Sequence, residues 1–267
     1  MKYKCNISLA ILLLSFTWVM AQQSQDISVP LSDPGKRGTL YVEIHKGPIT
    51  VKGVNRQDVL VKYQSLSGGE TKITEAKNGM KKISGGSPSL EVIEQDNKVY
   101  VESEDWNKGL ILDIEVPRNF DLQLQSYNDA DIAVENIAGK IAIETYNGDI
   151  TAKEIEGSVV ANTYNGPIVV TFNKISPDEP MTFATYNGKV DITLPSAAKT
   201  NLKMKTQQGD IYTDFDMELT KSPNPIKKEG DKWKKTIIDN WVSGSINGGG
   251  PEFSLQTWNG DIYIRKR

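Results

Sequence analysis

Asp131 and Asp149 come nearest, in type and spacing, to a catalytic pair in this chain. Each follows a Tyr-Asn corner at the same place in a repeated unit, so stacked repeats would set one carboxylate above the other. Like charges held that close destabilise each other, and they can share a proton or hold a cation. Glycoside hydrolases work with such a carboxylate pair. The competing reading is two solvated corner aspartates. Little else could join them. His45 is the sole histidine and Cys5 the sole cysteine, which excludes most histidine triads and zinc sites. No stretch has the dense Asp/Asn/Gly spacing of a calcium loop. The expectation is a non-enzyme without metal or cofactor, with a β-helix carbohydrate-active enzyme (lyase or hydrolase) as the alternative.

The repeated unit carries more residues than these two. It reads Ser126-Tyr127-Asn128, Thr145-Tyr146-Asn147-Gly148, Thr163-Tyr164-Asn165-Gly166 and Thr185-Tyr186-Asn187-Gly188. It returns as Thr206-Gln207-Gln208-Gly209 and Thr257-Trp258-Asn259-Gly260. From Gly148 onward the corner glycines are 18, 22, 21 and 51 residues apart. A period near 20 built of short alternating runs is the mark of a solenoid. Glycine accepts positive φ without a clash, and asparagine tolerates it better than most.

Stacking turns each position into a row. One outward row is aromatic: Tyr127, Tyr146, Tyr164, Tyr186 and Trp258, broken by Gln207. These rings either stack on one another and cover the corner backbone or form a strip that docks a polysaccharide or an envelope protein. Asn128, Asn147, Asn165, Asn187 and Asn259, with Gln208, form a column whose amides can bond up and down. Together with Gly148, Gly166, Gly188, Gly209 and Gly260 they read as structural. The Ser126, Thr145, Thr163, Thr185, Thr206 and Thr257 hydroxyls point inward, toward neighbours or corner carbonyls. In the row after the glycine, chain order makes Lys189 and Asp210 neighbours able to pair.

Strands must hold these rows in place. Leu122 and Leu124 alternate with Gln123 and Gln125, Ile141 and Ile143 with Ala142 and Glu144, Phe253 and Leu255 with Ser254 and Gln256. Period two means a strand with one face buried. The fold class is therefore all-β: a single-chain, parallel β-helix-like solenoid with rungs of about 18–22 residues and two inserted loops. A faint first copy at Leu40, Val42 and Ile44 starts it near residue 38. Residues 1–21 read as a signal peptide, 22–109 as irregular N-terminal rungs with a loop at 65–88, and 110–267 as the regular solenoid with a loop at 218–240. Asp26–Leu31 and the closing Arg265-Lys266-Arg267 are candidate caps for the open ends.

Composition bounds the partners. The net charge is −3, which disfavours nucleic acid. Lys2 and Lys4, an apolar run from Leu9 to Phe16, and Val19-Met20-Ala21 form an export leader with cleavage before Gln22. That run is too short to span a bilayer, and no later stretch spans one as a helix. Cys5 precedes the apolar run, so it is not a lipid-anchor cysteine. The expected destination is the periplasm, the outer-membrane surface or the exterior.

The stretches "DIEVP" to "LQLQSYNDADIAV", "DITLP" to "LKMKTQQGDIYTDF" and "GSINGGGPEFSLQTWNGDIYIRKR" resemble the putative-adhesin β-solenoid family of uncharacterised bacterial envelope proteins, domains of unknown function with β-strand repeats. The likeness runs over roughly 110–267, and more faintly over 38–109. It implies a secreted or surface β-helix with an adhesive role and no catalytic residues to carry over. This chain departs from it in its long insertions and in Asp129-Ala130 at one corner. The expected function is a non-catalytic, adhesin-like binder. A self-assembling envelope scaffold stands as a further alternative.

Overall fold

A computed structural model describes residues 25–66, 72–75, 81–84, 86, 88–220, 226–230, 233–237 and 241–267. The leader and Cys5 lie outside them. The described chain is all-β, with one twenty-stranded sheet and two separate two-stranded hairpins. No described segment is helical, so no helix there is long and apolar enough to cross a membrane.

The sheet is solenoid-like. A rung is a strand, a corner and a second strand, and successive rungs pair in parallel. Phe120–Asn128 pairs with Ala138–Thr145, which pairs with the second half of Ile150–Asn165, then with Met181–Asn187. Behind them Ile132–Glu135 pairs with the first half of Ile150–Asn165, then Ile168–Ile175, then Val190–Leu194. The apolar residues of both strand rows meet between the two faces. Leu122, Ile143, Ile155, Phe172, Phe183 and Ile192 all belong to this one core. Period-two patterning requires it, since every second side chain has no other dry surface to reach.

Chain order and stacking order part at both ends. Gly38–Lys46 lies between Lys98–Ser103 and Phe120–Asn128, although residues 98–117 follow it by some distance in sequence. Its second strand, Ile49–Val54, lies between Leu110–Pro117 and Ile132–Glu135. At the other end the last rung, Glu252–Asn259 with Ile262–Lys266, slides between the 181–194 rung and the 200–213 rung. Two expectations therefore fail. Lys189 and Asp210 are not neighbours, because Asp261 occupies the rung between them; Lys189 pairs with Asp191 instead, at 3.1 Å. Nor does Arg265-Lys266-Arg267 close an open end of the stack, since it extends an inserted rung whose Ile262, Tyr263 and Ile264 are flanked on both sides, and Arg265 and Lys266 pair with Thr193 and Leu194.

Antiparallel strands close the stack. Gln25–Pro30 runs against Asp58–Ser65, which runs against Leu110–Pro117. Glu91–Gln95 runs against Lys98–Ser103, while Val242–Ile246 runs against both Thr200–Gln208 and Met217–Thr220. The stretches expected as loops each carry a hairpin: Lys72–Glu75 with Lys81–Ser84, and Ile226–Gly230 with Trp233–Ile237.

Candidate functional site

The corners are held by three parallel ladders. At the backbone, the Gly148, Gly166 and Gly188 N–H groups donate to the carbonyls of Asn165, Asn187 and Asn259, at 2.8–2.9 Å. Above them the asparagine amides form one polarised column. The Nδ2 groups of Asn147, Asn165, Asn187 and Asn259 donate to Oδ1 of Asn128, Asn147, Asn165 and Asn187, at 3.2, 2.7, 2.7 and 2.6 Å. Beneath, the Thr163, Thr185 and Thr257 hydroxyls donate to the carbonyls of Gly148, Gly166 and Gly188 at 3.1, 2.9 and 2.8 Å. Buried polar groups thus find partners rung by rung. Gly188 has φ +151°, and a Cβ there would lie 2.3 Å from the Gly166 carbonyl oxygen. Only glycine lets the rungs approach that far.

These ladders hold the aromatic row flat. Tyr146, Tyr164, Tyr186 and Trp258 stack in sequence, with centroids 4.9, 4.8 and 5.6 Å apart and interplanar angles of 4, 3 and 8°. They remain 51, 40, 38 and 42 % exposed. The late rung makes this strip continuous: Trp258 seats itself directly on Tyr186, and Gln207 falls outside. Tyr127 joins a second stack. His45 lies between Tyr127 and Trp106, at 5.6 and 3.9 Å. No ring contact joins Tyr127 to Tyr146 among the described residues. Between these two rings the chain carries one extra corner residue, Asp129, at φ 49°. Trp106 belongs to no strand, and its exposure, 73 %, gives no periodic signal.

The carboxylate pair is built into the backbone. Asp131 Oδ1 accepts the Asp149 N–H at 2.9 Å, and Asp261 Oδ1 accepts the Asp210 N–H at the same distance. Burial, then the Asp131 charge, pushes the Asp149 carboxyl above its ordinary value. Among the described residues, no three His, Cys, Asp or Glu side chains converge to hold a metal. Asp191, only 8 % exposed at its side chain, is gripped by Arg265 at 2.7 Å and by Lys189. Burial pushes its carboxyl up, but the hydrogen bonds and charges of Arg265 and Lys189 outweigh this and hold it below the usual range.

A parallel stack of Tyr-Asn-Gly corners, with its matching spelling along the chain, is matched by a family model over residues 10–264. The chain belongs to the Toastrack DUF4097 family. Membership agrees with the resemblance read from the repeats, and the family is a domain of unknown function. Among solved structures of similar fold, a putative cell adhesion protein from Clostridium sporogenes superposes with a TM-score of 0.52 at 11% identity, over 92% of this chain and 99% of that one. A putative adhesin from Bacteroides fragilis gives 0.41 at 11% identity, over 92% and 96%. At such identity the first likeness speaks for the Toastrack fold alone. No curated protein matches the chain.

Proposed function

We propose that this Toastrack chain is an exported, non-catalytic, adhesin-like protein of the cell envelope, built as a parallel β-helix, whose aromatic strip meets a glycan or protein partner. One observation carries the reading: Tyr146, Tyr164, Tyr186 and Trp258 form a flat, continuous and exposed row held rigid by the asparagine column beneath. Flat rings offer contact area with little conformational entropy left to lose. Large contiguous apolar strips on a surface are contact sites. Stacking alone explains why the rings are parallel. It does not explain why four successive rungs present a ring on the outer face. The carboxylate pair competes poorly, because Asp131 is committed to the neighbouring backbone.

The full chain, expressed for export, is tested for binding to a panel of glycans and to isolated cell envelopes. Beside it runs Tyr164→Ala/Tyr186→Ala/Trp258→Ala, checked for an unchanged β spectrum. The expected result is retention of the parent and about a hundredfold weaker binding by the variant, as for the loss of aromatic anchors. Undiminished binding by the variant would sink the reading. Release of sugar products in the parent samples would replace it with the enzyme.

A further inference from the structure

The outward face beside the aromatic strip is polarised from one end of the stack to the other. Two outward positions per rung lie next to the strip. At one end Glu102 lies opposite Glu43, and the same column continues through Gln125 to Glu144. All three carboxylates are exposed and have no ion pair among the described residues. At the other end Ser254 leads to Lys203 and Gln256 to Lys205. Both ammonium groups lie over the Trp241 ring, at 4.7 and 5.6 Å. Between the acidic column, which ends at Glu144 on the Ala142 rung, and the lysines the outward side chains are neutral: Val160 beside Ala142 and Asn162 beside Glu144, then Thr182 and Ala184. Val160 is 37 % exposed at the middle. A shallow groove of about 350 Å³ opens at the acidic end, with Tyr41, Tyr100, Glu43 and Glu102 among its walls.

A ligand of one sign satisfies one end of this face and is repelled by the other. A partner with the opposite polarity satisfies both, and a copy of the same face, turned end for end, has that polarity. A two-fold axis along the strand direction, between the 138–145 and 158–164 segments, performs this turn. It sets Glu102 against Lys205 of the second copy, twice over. It lays Ala142 against Val160 of the second copy at the centre. It also keeps outward columns in line, so Tyr146 meets Tyr164 of the second copy and Tyr127 meets Tyr186. An isologous contact of this kind is the commonest way for identical chains to pair.

We infer that the partner of the aromatic face is a second copy of this chain, packed face to face and antiparallel. The inference rests on the reading of the strip as a contact surface, and it names the occupant. The area is sufficient. Eight rungs at a spacing of about 4.8 Å make the face about 34 Å tall, and three outward positions make it roughly 20 Å wide with its margins. Two such faces bury about 1,400 Å² in all, inside the range of specific protein contacts. Lys203 and Lys205 of each copy enter the acidic groove of the other. The exposed rings are then covered.

The test is sedimentation of the full chain, expressed for export, across the widest soluble concentration range. Two charge variants run beside it: Lys203→Glu/Lys205→Glu and Glu43→Lys/Glu102→Lys, both outside the aromatic strip and on exposed or half-exposed positions. The parent is expected to dimerise. Each variant alone is expected to dimerise at least about tenfold more weakly, since like charges then face each other. An equal mixture of the two variants restores the dimer, because each supplies the sign that the other lost. A parent that stays monomeric overturns the inference, as do variants that dimerise like the parent or a mixture that does not recover. The aromatic reading fails separately. Charge variants that are monomeric yet bind envelopes through the strip leave it standing, and it falls if the triple aromatic variant binds as the parent does.

Discussion

The middle of this molecule and its two ends are built by different rules. Between residues 120 and 194 the successive rungs of the chain lie one on the next, and neutral ladders of amide, hydroxyl and backbone hold the corners. At the ends a rung from elsewhere in the sequence is inserted and antiparallel strands close the sheet. At the N-terminal end charges take the place of ladders: Arg56 bridges Asp58 and Glu115, Lys62 also reaches Glu115, and the Ser28 hydroxyl donates to Asp58. The difference teaches that position along the chain is a poor guide to position in the stack. The last rung is interior, and the strand at residue 25 is an edge.

The largest effect should come from treating the last rung as the interior element it is. Phe253 is fully buried, and Met181 and Leu202 lie on either side of it in register. Phe253→Ala is expected to cost about 3–5 kcal/mol, as for large-to-small changes in a packed core. Val92→Ala, on the edge strand Glu91–Gln95, is expected to cost about 1 kcal/mol or less. Urea unfolding of both variants compares them. Equal costs would mean that the C-terminal rung is loosely held and the comparison is wrong.

A smaller effect separates corners that need close approach from turns that only need positive φ. Gly188→Ala puts a Cβ against the Gly166 carbonyl oxygen and is expected to cost about 3 kcal/mol. Gly248 also has positive φ, at +84°, but a Cβ there meets nothing within 4 Å. Gly248→Ala should therefore cost about 1 kcal/mol, the backbone strain alone. The same unfolding measurement decides, and parity between the two would remove the steric argument for the corner spelling.

The middle was legible because its repeat is dictated by contact with its own copy. Thr, Asn and Gly recur where a hydroxyl, an amide and a missing Cβ are each needed against the neighbouring rung. The ends were less legible because the same spelling says which place in a rung a residue takes, and not which rung lies beside it. The corner spelling puts Trp258 in the aromatic row, yet its seat on Tyr186 depends on an insertion that chain order hides. A hint existed. Gly209-Asp210-Ile211-Tyr212 and Gly260-Asp261-Ile262-Tyr263 match residue for residue, and Tyr212 and Tyr263 do stack, 5.1 Å apart. Trp106 carried no such hint, since it lies in an irregular stretch and its contact with His45 is tertiary.

The smallest expected effect sharpens the contrast between the neutral middle and the charged N-terminal end. The Arg56 and Ser28 hydrogen bonds hold the Asp58 carboxyl down to about 2. Lys62, followed by Arg56, holds Glu115 below its ordinary value against the opposing effect of burial. Groups depressed by folding stabilise the fold above their unfolded values, and that contribution is lost as pH falls through the folded ones. For Asp58 the window lies between about pH 4 and pH 2. With both side chains about a third exposed, solvent screening limits the effect to about 1 kcal/mol. The ladders at Asn165 and Thr185 contain no group that titrates there. Amide exchange followed from pH 5 to pH 2.5, corrected for intrinsic rates, should show Gln25–Pro30 and Asp58–Ser65 opening first, with Met181–Asn187 keeping its protection. Asp58→Asn should flatten that response at the N-terminal edge and leave the middle unchanged. Acid opening that began instead at Met181–Asn187 would mean that the ladders, and not the charge network, are the weaker fastening.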